Sequence, residues 1–217
     1  MRSAPARIGA VVAVAAVLTG CGGGGEAPAA PEGLTATEAC GGFAKDAAAT
    51  AALKAVLGGE RYEDDLSKPD KALTGLREAA AAPWADSYRP QPVRYCGLQA
   101  PGDASKDLKI EVNAVRQAPE ADARLADKAT YFTSGVRAYS SSGLGKLYFS
   151  CRPEAPAHEI VVETSIWGPG GVEETDLEQR TRLITLANAA ARDVSAKLGC
   201  EGDGLVTGVP APAAKSS

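Results

Sequence analysis

Leu108-Lys109-Ile110-Glu111-Val112-Asn113-Ala114 alternates apolar and polar residues without a break. Side chains of a β-strand point to opposite faces with a period of two, so Leu108, Ile110, Val112 and Ala114 share one face. Lys109, Glu111 and Asn113 share the other. One face buried and one face wet is the signature of an antiparallel sheet.

The neighbouring sequence supplies partners for that strand. Pro90 and Pro92 exclude helix, and Val93-Arg94-Tyr95-Cys96-Gly97-Leu98 reads as a strand. Pro101-Gly102-Asp103 turns it back into 108–114. A second hairpin follows at 145–151 and 158–167, with Leu147, Phe149 and Cys151 on one face of its first strand. Ile160, Val162, Thr164 and Ile166 share a face of the second. The stretch 131–139 is ambiguous and has room for one more strand. Helices are expected over 36–57, 68–82, a short polar stretch from 119 to about 130, and a long C-terminal helix from Leu177 to Leu198. In the last, Leu177, Ile184, Ala187, Ala191, Val194 and Leu198 recur at a three-to-four spacing, and Gly199 follows as a stop. Thr35 with Glu38, and Thr175 with Glu178, have capping-box spacing. Ser67 and Pro69 suit the start of the second helix.

These elements predict an α+β fold. An antiparallel sheet of four to five strands packs against the long C-terminal helix and an N-terminal helix. Each half reads as helix then hairpin, which suggests a weak internal repeat. The expected organisation is a leader at 1–20, a flexible Gly/Ala/Pro tether at 21–34, one α+β domain at 35–205 and a disordered tail at 206–217.

The leader has the three parts of an export signal. Arg2 and Arg7 are positive, residues 8–18 are apolar, and Leu18-Thr19-Gly20-Cys21 closes the run. About eleven helical residues span about 16 Å, short of the roughly 30 Å hydrocarbon core. Leu18-Thr19-Gly20-Cys21 resembles the lipobox of bacterial lipoprotein signal peptides. That resemblance implies cleavage between Gly20 and Cys21 and acylation of the Cys21 sulfur. Each buried CH₂ contributes about 0.8 kcal/mol, so several acyl chains hold a protein firmly on a bilayer. The expected location is the extracytoplasmic face of the cell membrane.

Without the two arginines of the leader, 21 of the 23 Lys and Arg remain against 27 Asp and Glu, a net charge of −6. A mildly acidic chain lacks the clustered cations that nucleic acid requires. Cys40, Cys96, Cys151 and Cys200 remain beside the acylated cysteine. An even number outside the cytoplasm points to disulfides, with three pairings possible. No Cys-x-x-Cys spacing marks a metal site, and His158 is the only histidine. Stapling a helix to a strand in each half favours Cys40 with Cys96 and Cys151 with Cys200. Each pair would close about fifty residues, worth roughly 4 kcal/mol on loop-closure entropy.

Four features together resemble a class of uncharacterised actinobacterial lipoproteins. They are the lipobox, Ala39-Cys40-Gly41-Gly42, Leu147-Tyr148-Phe149-Ser150-Cys151-Arg152, and Ala191-Arg192-Asp193-Val194-Ser195-Ala196-Lys197-Leu198-Gly199-Cys200. The resemblance implies location and architecture, and brings no catalytic residue with it.

Other features are weaker. A serine triad would have to use His158, but no G-x-S-x-G elbow is present. Residues 60–65 and 201–204 are acidic without the ligand spacing of a calcium loop. Gly143-Leu144-Gly145-Lys146 precedes a strand and lacks the hydroxyl residue of a phosphate loop. Trp84, Tyr88, Tyr95, Tyr139, Tyr148 and Trp167 include aromatics expected to face outward, Tyr148 and Trp167 above all. No catalytic residue, metal or cofactor is assigned. The favoured function is a non-catalytic binding or interaction module of the envelope, tethered by its lipid and facing an unknown envelope protein or small ligand. A small envelope hydrolase and a structural envelope component are the alternatives.

Overall fold

A computed structural model of the chain describes residues 33–214 apart from 86–89, 121–127, 154, 172 and 174. The leader, Gly20, Cys21, most of the tether and residues 215–217 lie outside the described set. So does most of the helical stretch expected from Pro119; its far end, Thr130, opens a strand.

The alternating stretch forms the middle of β3 (Asp103–Val115), and β7 (Ile160–Trp167) pairs with it from Lys109↔Trp167 to Val115↔Val161. Both strands are long and cleanly patterned, so they form the centre of the sheet. β2 (Val93–Ala100) flanks β3, and β6 (Leu144–Cys151) flanks β7. The sheet then extends beyond the expected four to five strands. β1 (Glu63–Asp64) adds to β2. β5 (Arg137–Ser140), β4 (Thr130–Thr133) and β8 (Ala211–Pro212) continue outward from β6. The eight strands run in the order β1-β2-β3-β7-β6-β5-β4-β8, with every pairing antiparallel. The ambiguous 131–139 stretch is the β4–β5 hairpin.

The helices pack on the face of Leu108, Ile110, Leu147, Phe149, Val162 and Ile166, all fully buried. α3 (Leu177–Leu198) crosses it, with Leu183, Ile184, Leu186, Ala187, Ala190, Ala191 and Val194 excluded from solvent. Its cap is Asp176, whose Oδ1 accepts from the Gln179 amide at 2.9 Å, one residue inside the expected Thr175. Gly199 ends it with φ +70°, a left-handed turn that glycine adopts without strain.

The N-terminal helix is shorter than expected. Residues 39–41 form a single 3-10 turn, and the α-helix α1 spans Ala47–Leu57. Cys40, Gly41 and Gly42 all have positive φ (50°, 78° and 84°), which no continuous right-handed helix accommodates. Thr35 and Glu38 do bond to each other, but around this turn: the Thr35 amide and hydroxyl both donate to Glu38 Oε2. α1 is capped instead by Asp46, through the Ala49 amide at 2.8 Å. α2 spans Pro69–Ala81 and has no side-chain cap. Ser67 is used elsewhere: its hydroxyl accepts from the Gly97 amide and donates to the Gly97 carbonyl, filling a gap at the edge of β2.

β2 contains a bulge at Tyr95, because Arg94 pairs with Glu111 while Cys96 pairs with Ile110. Two consecutive residues therefore face the core. Cys96 reaches Cys40, and the Tyr95 hydroxyl reaches Asp193 on α3. The second disulfide joins Cys151, at the end of β6, to Cys200, just past α3. The internal repeat finds no support. In the first half the stapled element precedes its hairpin, whereas in the second half α3 follows it.

Both chain ends of the described region are tied to the fold. Leu34, expected in the tether, pairs with Tyr62 as an antiparallel bridge. The tail expected to be disordered from 206 is docked as far as Ala213. Asn188, buried in mid-α3, donates to the carbonyls of Val206 (2.8 Å) and Gly208 (3.3 Å) and accepts from Ser134 (2.7 Å). β8 then pairs with β4, and the Ala213 amide donates to the Tyr131 carbonyl. A buried side-chain amide needs partners, and a Gly/Pro/Ala-rich strand has backbone groups to offer. Composition alone hides that match.

Replacing both Cys151 and Cys200 by Ser opens a loop of sequence separation 49. The expected loss is about 4 kcal/mol. Denaturant unfolding of the double variant under oxidising conditions measures it, and a loss below about 1 kcal/mol would overturn the loop-closure account.

Candidate functional site

A groove runs along α2. Lys71, Thr74, Gly75 and Glu78 recur at i, i+3, i+4 and i+7, so they form one stripe on the helix. The stripe faces the point where β2 stops. Val93 pairs with Val112, and β3 continues past it through Asn113, Ala114 and Val115. Pro90 and Gln91 close the far side. The resulting cleft of about 360 Å³ has apolar walls from Ala72, Leu76, Val93, Val112 and Ala114. A second cleft of about 230 Å³ continues it past Ala79 and Ala82, between Trp84, Val115, Arg116 and residues 158–161. Together they trace the length of α2.

One detail marks the upper half of this groove, and it is not Asn113: that residue borders the groove at the strand edge, but alternation puts its side chain on the far face of the sheet beside Glu163, where its Oδ1 is buried with no hydrogen-bond partner among the described residues. A vacant buried acceptor is unfavourable by about 1–3 kcal/mol. Gly75 sits in the interior of α2 with right-handed backbone, yet a Cβ built on it would meet nothing within 4 Å. No neighbour demands a glycine there, and glycine weakens a helix interior.

His158 lies in the lower half. Its backbone amide donates to the Ala80 carbonyl at 2.7 Å, tying the β6–β7 turn to the end of α2. No serine lines its cleft among the described residues.

A third cleft, of about 400 Å³, lies between the segment 43–46 that leads into α1 and the C-terminal half of α3 with the chain just beyond it. It brings together Asp46, Asp193 and Asp203, but each carboxylate already holds structural bonds. Asp46 caps α1 and pairs with Arg192 at 3.2 Å. Asp203 accepts from Ser195 and from the Leu205 amide. Asp193 accepts from Tyr95 and from Lys197 at 2.7 Å. Burial, followed by the Asp193 contact, pushes the Tyr95 phenol well above its usual range, so it stays protonated.

The sheet face opposite the helices carries a polar row built by register. Asn113, Glu163, Tyr148 and Arg137 stand opposite one another on β3, β7, β6 and β5. Glu163 Oε1 accepts from Lys146 and from Ser165, each at 2.7 Å. Burial works to raise the Glu163 carboxyl. The hydrogen bonds from Lys146 and Ser165 outweigh it, and the group is held below its ordinary value. Tyr148 was expected to face outward but is only 2% exposed, because it packs into this row against Glu163 and Tyr139. Burial is the main reason its phenol is raised. Trp167 does face outward, at 46% exposure.

The remaining sequence candidates fall into structural roles. Glu60 pairs with Lys54 at 2.5 Å, and Glu63 and Asp64 form β1. Asp65 pairs with Arg94. Gly143 lies in the turn before β6, where Gly168 donates to its carbonyl. Glu201 bridges to Arg152. Among the described residues no three His, Cys, Asp or Glu side chains converge as a metal site requires. No helix among them is long and apolar enough to cross a membrane. No family model, curated protein or solved structure matches this chain.

Two variants separate the roles of these clusters. Gly75→Ala should raise stability by about 0.5–1 kcal/mol, as expected for an unobstructed helix-interior glycine. A loss of stability in chemical unfolding would mean that the backbone there needs glycine. Glu163→Gln should destabilise at neutral pH. Because the folded carboxyl is held below 4.5, its contribution is complete above that value and is lost as pH falls through the lower folded value. The gap in unfolding free energy between wild type and variant should therefore narrow below pH 4.5. A gap independent of pH would sink this assignment.

Proposed function

We propose that this protein is a non-catalytic binding module held on the extracytoplasmic face of the membrane by acyl chains on Cys21, and that the groove along α2 is its binding site. The observation that carries the binding reading is the groove itself. It is shallow and apolar-walled, with Lys71, Thr74 and Glu78 on its rim and one helical glycine with open space above it. Binding sites pair an apolar surface with a few convergent polar groups, and this groove has both. Two disulfides, a tied tail and a Leu34 bridge give the module a rigid frame beside its tether.

The hydrolase alternative draws little from the geometry. The three aspartates of the third cleft are engaged in caps, ion pairs and hydroxyl bonds. The His158 cleft lacks a nucleophile among the described residues.

Two measurements bear on the proposal. Cys21→Ala should move the protein from the membrane fraction to the soluble fraction after export; unchanged fractionation with the membrane defeats the lipid anchor. Purified protein should leave generic ester and glycoside substrates intact. Hydrolysis that follows the protein through purification and is lost on substituting His158 would replace the binding reading with the enzyme.

A further inference from the structure

We propose that Arg137, on the sheet face opposite the helices, anchors a second binding site that takes a small monocarboxylate carrying an aromatic ring. The site shares no residue with the groove along α2, so the two readings stand or fall separately.

Strand register assembles it. Arg137 and Tyr139 are two residues apart on β5, so their side chains share a face about 7 Å apart along the strand. Tyr148 stands opposite Arg137 on β6, and Tyr131 stands opposite Tyr139 on β4. The Tyr131 and Tyr139 rings lie 5.8 Å apart, tilted by 48°. Both residues are half-buried, so part of their surface is open to a ligand. Tyr148, at 2% exposure, is packed away beneath the row.

Charge selects the occupant. Arg94, Arg152, Arg182 and Arg192 each pair with an Asp or Glu. Arg137 does not: its Nη1 is buried without a hydrogen-bond partner among the described residues, and none of their carboxylates pairs with it. A guanidinium presents its donors in a planar fork that matches a carboxylate. On this face of β5, β6 and β7 the described charges are Arg137, Lys146 and Glu163, and Lys146 already holds Glu163 at 2.7 Å. One positive charge is left over, which one carboxylate balances. A phosphate would bring a second negative charge to a point two strand spacings, about 10 Å, from Glu163. With the acid on Arg137, the body of the ligand falls on the Tyr139 and Tyr131 rings, where an aromatic group packs favourably.

The test titrates the full chain with phenylacetate, phenylacetamide and benzyl phosphate, and follows backbone amide shifts. Phenylacetate should move the amides of Arg137, Tyr139 and Tyr131, and the neutral amide should bind at least about tenfold more weakly. Benzyl phosphate should bind more weakly than phenylacetate. Arg137→Gln should weaken phenylacetate binding at least about tenfold and leave unfolding by denaturant unchanged, because no partner within the fold is lost. Arg137→Lys keeps the charge without the fork and should fall between the two. Tyr131→Ala should weaken phenylacetate more than acetate. Gly75→Leu, in the other groove, should bind as wild type does. Equal binding of acid and amide overturns the proposal, as does tighter binding of the phosphate. So does undiminished binding by Arg137→Gln, or a loss of stability in that variant, which would show that the fold itself uses the guanidinium.

Discussion

Burial of α3, complete around its middle turns at 183–191, is the constraint on which the other elements depend. The helix presents Leu183, Ile184, Leu186, Ala187, Ala190, Ala191 and Val194 with no access to solvent. No single layer satisfies so wide a surface. The sheet takes one flank of it and α1 the other. Ala49 and Ala52 of α1 and Ala187, Ala190 and Ala191 of α3 are buried in one core, and small side chains allow two helices to approach closely. The alanine abundance of the chain thus has a packing role in this layer. The two disulfides bound the arrangement, one holding the entry turn to β2 and the other holding the end of α3 to β6.

Asn188 interrupts that apolar surface, and its position explains the far edge of the sheet. A buried side-chain amide with two donors and an acceptor has to be met by other groups. Ser134, in the β4–β5 turn, meets the acceptor, and the chain beyond α3 meets the donors. The same tail then covers β4, whose outer edge would otherwise stand exposed. Two-residue strands at both borders, β1 and β8, leave little free edge for unwanted pairing between molecules.

What the sequence disclosed follows the strength of local pattern. β3, β7 and α3 have unambiguous periodicity, because each packs one face against a continuous core. β1 and β8 have two residues each and no period to read. The N-terminal apolar stripe runs further than the helix: it continues through Cys40 and Phe43, while the backbone at 40–42 turns left-handed. Alternation puts Tyr148 on the outer face, where it stands; its burial comes from cross-strand neighbours that alternation does not reveal. The groove was the least legible feature. Lys71, Gly75, Val93 and Val112 come from three elements and share no motif. The one local signal was Gly75, a glycine at the middle of an otherwise well-formed helix, and its meaning depended on the empty space above it.

The position of α3 in the chain has a consequence for how the protein comes into being. The element at the centre of the core is the last helix made, and the strap that seals the final strand edge comes after it. Residues 33–170 alone would present the inner face of the sheet to water. Antiparallel pairings between distant segments form slowly because loop closure precedes their reward. The sheet therefore has little to fold around until α3 has been made. A polypeptide with this order closes its core only when residues 177–213 have joined the strands made before them.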